Sequence, residues 1–410
     1  MNSRKYRLSR LNPVKNKMTK KIKDQSTLGY ALLIYMCIVV VLITFIPFEF
    51  RMPESFHITW STNFADLVTN IFLFVPIGFL LRLTRRKDTD FLCLQAIVFG
   101  VLLSFTVESA QVFIPGRYPQ VIDVLTNSFG AWLGAIIFSL LKNGLKEEQV
   151  GRLFAPELPL VGLIYLLIPL MWLNGLATGE EESRLWLLLL LGVIGAGVIC
   201  SVYINRFKHT GAFGYTKLTV FTMCWFCLCS LPVLINFPFK IVLFGAALVL
   251  VVQILARMNK GGNIHDKRFE IPTIKKLLPV YMIYLLLVVA WPTTIPAGEW
   301  QYNIVFHELV FKERIAFIFR FIEFIAAFTL LGYMIAEMRG RKNERVEKTL
   351  GWTFFIAAGS AVLIEVLKAY PALNSTNILS IIIIILACLY GAVIYRLQLS
   401  AIERLYFKIF

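Results

Sequence analysis

Seven polar side chains lie within or beside apolar stretches of this sequence, where a solvated surface does not explain them. Asp66 and Asn70 are spaced i, i+4, Glu108 and Gln111 i, i+3, and Asp123 and Asn127 i, i+4. On a helix each pair shares one face. An ionised side chain costs about 2.5–3.5 kcal/mol at the centre of a spanning helix and less near its end. Carboxylates kept against that cost can serve as general bases, as cation ligands or as sites of ion coupling. Arg117 stands between the second and third pairs, and a guanidinium suits a phosphate or carboxylate. No nucleophile–histidine pair, HExxH or phosphate-binding loop accompanies these residues. His57, His209, His265 and His307 all fall between the apolar stretches. The sequence therefore assigns no catalytic residue, no metal site and no cofactor. A divalent cation at the acidic cluster is the one exception left open.

The elements that carry these residues are helices. Of the 410 residues 58% are hydrophobic and only 16% charged, and the mean hydropathy is +0.72. A soluble domain has too much surface for so little charge. The apolar residues come in blocks of about 20, which as helix cross a hydrocarbon core of roughly 30 Å. In lipid the backbone must satisfy its own hydrogen bonds, and no short alternating segments suggest a barrel. Twelve spans are expected, near 28–48, 64–83, 91–112, 121–141, 157–175, 184–205, 216–235, 239–256, 277–295, 315–336, 350–369 and 376–396. The fold class is an all-α, polytopic transmembrane bundle.

Lys and Arg gather in every second loop, at 82–87, 142–152, 206–217, 257–276, 339–348 and 396–408, and in the tail at 1–23. The positive-inside rule then puts both termini in the cytoplasm. The formal charge of +16 becomes mainly a topology signal, with anionic lipid rather than nucleic acid as the partner of the basic tail. The first span reads as retained, because no small-residue cleavage site follows it. Cys224, Cys227 and Cys229 lie in the middle of an apolar block with no histidine near, which reads as ordinary packing.

With this orientation the second span enters from outside, the third exits outward and the fourth starts outside. Asp66, Asn70, Glu108, Gln111, Asp123 and Asn127 then share one depth on the outer side. Glu108 precedes Pro115 by seven residues, roughly 10 Å of helix. Arg117 reaches the same level from the turn. Gly130 and Gly134 continue the stripe of Asp123 and Asn127, and small residues let a neighbouring helix approach closely.

The last four spans echo the first four. Glu108 and Glu365 lie 257 residues apart, as do Gly134 and Gly391, while Gly78 and Gly332 lie 254 apart. The spans read as three groups of four, with a degenerate parallel repeat of the first and last. The expected divisions are a basic cytoplasmic tail at 1–27, a four-helix domain at 28–145, four middle helices at 156–257, four final helices at 275–398 and a cytoplasmic tail at 399–410.

The segments NIFLFVPIGFLLRL (70–83) and ESAQVFIPGRYPQVIDVLTNSFGAWLGA (108–135) resemble the VanZ-like family. The matching positions are Asn70, Pro76, Gly78, Phe79, Glu108, Gln111, Arg117, Asp123, Asn127, Gly130 and Gly134. The resemblance spans about residues 28–145 and implies a multi-pass protein of the bacterial cytoplasmic membrane. The named member of that family is linked to low-level teicoplanin resistance. In the last block Glu365 keeps the place of Glu108, but Lys368 stands for Gln111, Asn374 for Arg117, Ser380 for Asp123 and Ile384 for Asn127.

Three functions fit the cluster. It could bind a polar or anionic lipid headgroup, or a lipophilic envelope ligand, with Arg117 on phosphate and Asn70, Gln111 and Asn127 hydrogen-bonding it. It could belong to a secondary transporter using its carboxylates, or to an enzyme acting on a lipid carrier. The structural alternative is interhelical adhesion, worth around 0.6 kcal/mol per hydrogen bond. Glu365 and Lys368, at i, i+3, read equally as an in-span ion pair.

Overall fold

A computed structural model describes residues 29–45, 49–53, 59–60, 63–84, 91–143, 158–178, 182–207, 214–234, 236–259, 270–290, 314–340, 346–369 and 378–407. The basic tail, the four histidines and Asn374 lie outside these residues. Long apolar blocks become long helices, as lipid requires. They are α1 (Gly29–Thr44), α2 (Phe64–Thr84), α3 (Phe91–Gln111), α4 (Val121–Asn143), α5 (Leu158–Ala177) and α6 (Leu185–Phe207). Then follow α7 (Tyr215–Cys229), α8 (Pro238–Asn259), α9 (Glu270–Ala290), α10 (Arg314–Gly340), α11 (Val346–Ala369) and α12 (Ile378–Phe407). Among the described residues no strand forms, and extended pairing is limited to one isolated bridge between Thr59 and Gln120. Among the described residues nine helices, α3–α6 and α8–α12, are long and apolar enough to cross a membrane, and α1 and α7 are apolar but shorter. The chain is a polytopic helical membrane protein.

The chain divides into two compact units, Met1–Ala155 with Leu397–Phe410, and Pro156–Arg396. In the first, α2 and α4 cross backbone to backbone. A Cβ at Gly78 would strike the Ala131 carbonyl, one at Gly130 the Ile71 carbonyl, and one at Gly134 the Val75 carbonyl and the Phe79 amide. These are main-chain atoms that no rotamer change can move. Phe79 and Phe138 meet edge to face, 5.2 Å between centroids. Pro76 lies on α2 between Val75 and Gly78, half-buried. Large apolar residues such as Leu102, Phe105, Leu125 and Phe129 are exposed, as lipid-facing side chains must be.

In the second unit α5, α6 and α10 are the most enclosed helices. Here α10 and α12 cross as α2 and α4 do. A Cβ at Gly332 would strike the Cys388 carbonyl, and one at Gly391 the Thr329 carbonyl and the Tyr333 amide. The partners of Gly391 lie at the same offset from Val75 and Phe79 that separates Gly332 from Gly78.

The span expected at 216–235 is interrupted. Helix α7 ends at Cys229, Ser230 caps it, and a single turn follows at Leu231–Leu234. Pro232 is the cause, because its ring collides with the carbonyl four residues earlier, that of Leu228. The freed Leu228 oxygen accepts the Trp172 indole N–H at 3.1 Å. Along α7 Cys224 is exposed, Cys227 half-buried and Cys229 buried, and all three thiols are free.

Candidate functional site

The turn between α3 and α4 is set by its own sequence. In Ile114-Pro115-Gly116-Arg117, proline suits the second position and glycine the third, where φ is +78°. The Arg117 N–H donates to the Ile114 carbonyl at 3.1 Å and closes the turn. This holds Arg117 exposed at its rim. The chain before α2 lies against the same turn. The Arg51 amide donates to the Phe113 carbonyl at 2.7 Å, and the Thr59 amide to the Pro119 carbonyl at 3.1 Å.

Below the rim, α2, α3 and α4 bring their polar residues together. Asn70 hydrogen-bonds the Asp123 carboxylate, whose neighbouring charges are Asp66 and Arg117. Asp123 and Arg117 are in turn charged neighbours of Glu108. Glu108 is buried, and its Oε2 accepts the Gln120 backbone N–H at 2.8 Å, so it caps α4 from a neighbouring helix. Asn127 is buried and donates to Ser104 Oγ on α3 at 2.8 Å.

Gln111 faces elsewhere. Its Nε2 donates to the Thr44 carbonyl at 3.0 Å, capping the last turn of α1. The amide donors of Asn70, Gln111 and Asn127 are thus engaged within the protein. The acceptors are not. Gln120 Oε1, Asp123 Oδ1 and Asn127 Oδ1 are buried without a hydrogen-bond partner among the described residues. At i, i+3 and i+7 they line one face of the start of α4. The site therefore offers buried acceptors below and a guanidinium at its mouth. Among the described residues no three His, Cys, Asp or Glu side chains are grouped to hold a metal ion.

Residues 17–142 match the family model described as VanZ/LLP1. The first four helices are thus similar to that family. Over 114 residues, 28% of this chain, the sequence is 27% identical to Protein VanZ of Enterococcus faecium. The chain spans 66% of that relative's length. No solved structure matches the chain. The positions that carry the VanZ-like pattern in α2, α3 and α4 supply both the site and the glycine crossing beneath it.

Several participants carried no signal in the sequence. Ser104 is an ordinary residue in an apolar helix until Asn127 reaches it. Gln120 contributes through its backbone amide and a buried side-chain oxygen. The second unit holds a larger network that sequence spacing does not indicate. Glu323 on α10 is fully buried, and its Oε1 accepts Asn174 Nδ2 of α5 at 3.0 Å and the Tyr284 hydroxyl of α9 at 2.9 Å. Its Oε2 pairs with Arg184, which lies in the short turn before α6 and is 3% exposed. A lone Glu inside the block at 315–336 was the available clue. Glu365 is buried on α11, the helix that also carries Lys368.

Proposed function

We propose that the VanZ-like unit binds the polar headgroup of an envelope lipid, or a lipophilic envelope ligand, on the extracytoplasmic side of a bacterial cytoplasmic membrane. The observation that carries this reading is the row of three buried acceptors without donors beneath the exposed Arg117. A ligand that suits both parts has an anionic oxygen for the guanidinium and hydroxyl donors for the acceptors. A divalent cation bridging Asp123 to a phosphate would meet the same demand. The outward orientation rests on the loop charges, which favour cytoplasmic termini. The family link to teicoplanin makes glycopeptide susceptibility the natural cellular readout, and a changed response to that lipophilic antibiotic is part of the proposal.

Glu108→Gln and Asp123→Asn test it. Each keeps the shape and at least one acceptor, so the cap on α4 persists at a cost of about 1 kcal/mol or less. Both variants should abolish any teicoplanin protection that the wild-type chain confers on a susceptible host, with membrane abundance near wild type. Full protection in both would sink the reading. Loss of abundance instead would assign the carboxylates to helix adhesion.

A further inference from the structure

The Glu323 network holds a second, chemically different site within the second unit. The carboxylate itself is satisfied by Asn174, Tyr284 and Arg184. Two of its partners are not. Asn174 Oδ1 and Arg184 Nε are buried and lack a hydrogen-bond partner among the described residues. A carboxylate only accepts, so the Asn174 amide must turn its NH₂ to Glu323 and its oxygen away. Asn174 is fully buried and Arg184 is 3% exposed, so neither atom is bathed in solvent.

These two atoms define a ligand. One is an acceptor needing a donor, and the other is a donor needing an acceptor. Both residues are anchored to one carboxylate, so the two needs arise beside each other. The Arg184–Glu323 pair is already neutral, and a charged ligand would leave the site unbalanced in a medium of low dielectric. A hydroxyl is neutral and both donates and accepts. The location also fits. Asn174 lies in the last turn of α5, and Arg184 lies immediately before α6. The same turn carries Glu182, whose exposed ion pair with Lys240 lets this end of the unit meet water. We propose that Asn174 and Arg184, held by Glu323, take a hydroxyl of a neutral sugar or polyol headgroup. This inference is independent of the VanZ-like site, since no residue is shared.

The test uses the full chain in phosphatidylcholine nanodiscs, with and without a photoactivatable monoglucosyl diacylglycerol, and with free methyl glucoside in a parallel arm. Crosslinks should appear on the peptide containing residues 174–184. Arg184→Lys keeps a positive charge opposite Glu323 but deletes Nε. It should weaken glucolipid binding about tenfold or more, with a near-normal unfolding midpoint in phosphatidylcholine alone. Gly359→Ala adds a carbon that meets nothing within 4 Å and should leave binding unchanged. Competition by methyl glucoside would assign the sugar alone as ligand, and its failure would assign the lipid headgroup. Wild-type crosslinks confined to the α3–α4 turn would overturn this proposal while supporting the VanZ-like site. Unchanged binding in Arg184→Lys, or no labelling of 174–184, would leave a buried water as the occupant and also overturn it. The crosslinking needs no variant, so it decides the matter even where Arg184→Lys fails to fold.

Discussion

Gly134→Val should remove most of the folded protein from the membrane, and Gly359→Val should not. At Gly134 the first added carbon meets the Val75 carbonyl and the Phe79 amide of α2. Those atoms belong to a helix backbone, so relief requires α2 and α4 to part. Overpacking of an ordinary core costs ~1–3 kcal/mol, because side chains can shift. A backbone collision exceeds that range and also uncouples Asn70 from Asp123. Gly359 has nothing within 4 Å of its added carbon and faces outward, so a side chain there has room. Gly391→Val should be as harmful as Gly134→Val, since it meets the Thr329 carbonyl and the Tyr333 amide in the same way. Immunoblots of membrane fractions, with unfolding midpoints for whatever protein survives, measure all three. Wild-type abundance of Gly134→Val would refute the close crossing.

The second large effect is expected at Arg184. Arg184→Ala leaves the fully buried Glu323 carboxylate without its counter-charge and should destabilise the protein by about 3–5 kcal/mol. Replacing both partners should hurt less than replacing one. In Arg184→Met with Glu323→Gln no charge stays buried, the amide oxygen still accepts from Asn174 and Tyr284, and what remains is one unmet amide group, about 1–3 kcal/mol. Thermal unfolding in nanodiscs compares the single and double variants. A double variant no more stable than Arg184→Ala would mean that the pair is not the source of the effect.

The helices were legible in the sequence because lipid leaves the backbone few choices. Apolar blocks marked the helices of the described residues, nine of which are long and apolar enough to cross a membrane. The break at Ser230 was less visible, because Pro232 stands in an unbroken apolar stretch and Trp172, which takes up the freed Leu228 carbonyl, lies 56 residues away. The polar residues of α2, α3 and α4 could be placed at one depth from loop charges and spacing alone. Their directions could not. Helical spacing gives a face, but it cannot say that Gln111 turns to Thr44 or that Asn127 reaches Ser104. The donors that sequence reasoning assigned to a ligand are therefore engaged in the protein, and the acceptors of Gln120, Asp123 and Asn127 take their place. Glu323 was hidden for a related reason. Its partners Arg184 and Asn174 lie 139 and 149 residues away, on segments with no pattern linking them to α10.

The most direct test of the VanZ-like site is binding to its mouth. Full-length protein in nanodiscs would be titrated with a polyprenyl monophosphate, and with the neutral polyprenol of the same chain length as comparator. The site predicts that wild type retains the phosphate in preference to the alcohol. It also predicts that Arg117→Ala weakens phosphate binding about tenfold or more with no change in the alcohol. Equal retention of the two lipids by wild type, or an Arg117→Ala variant that binds the phosphate as wild type does, would contradict it.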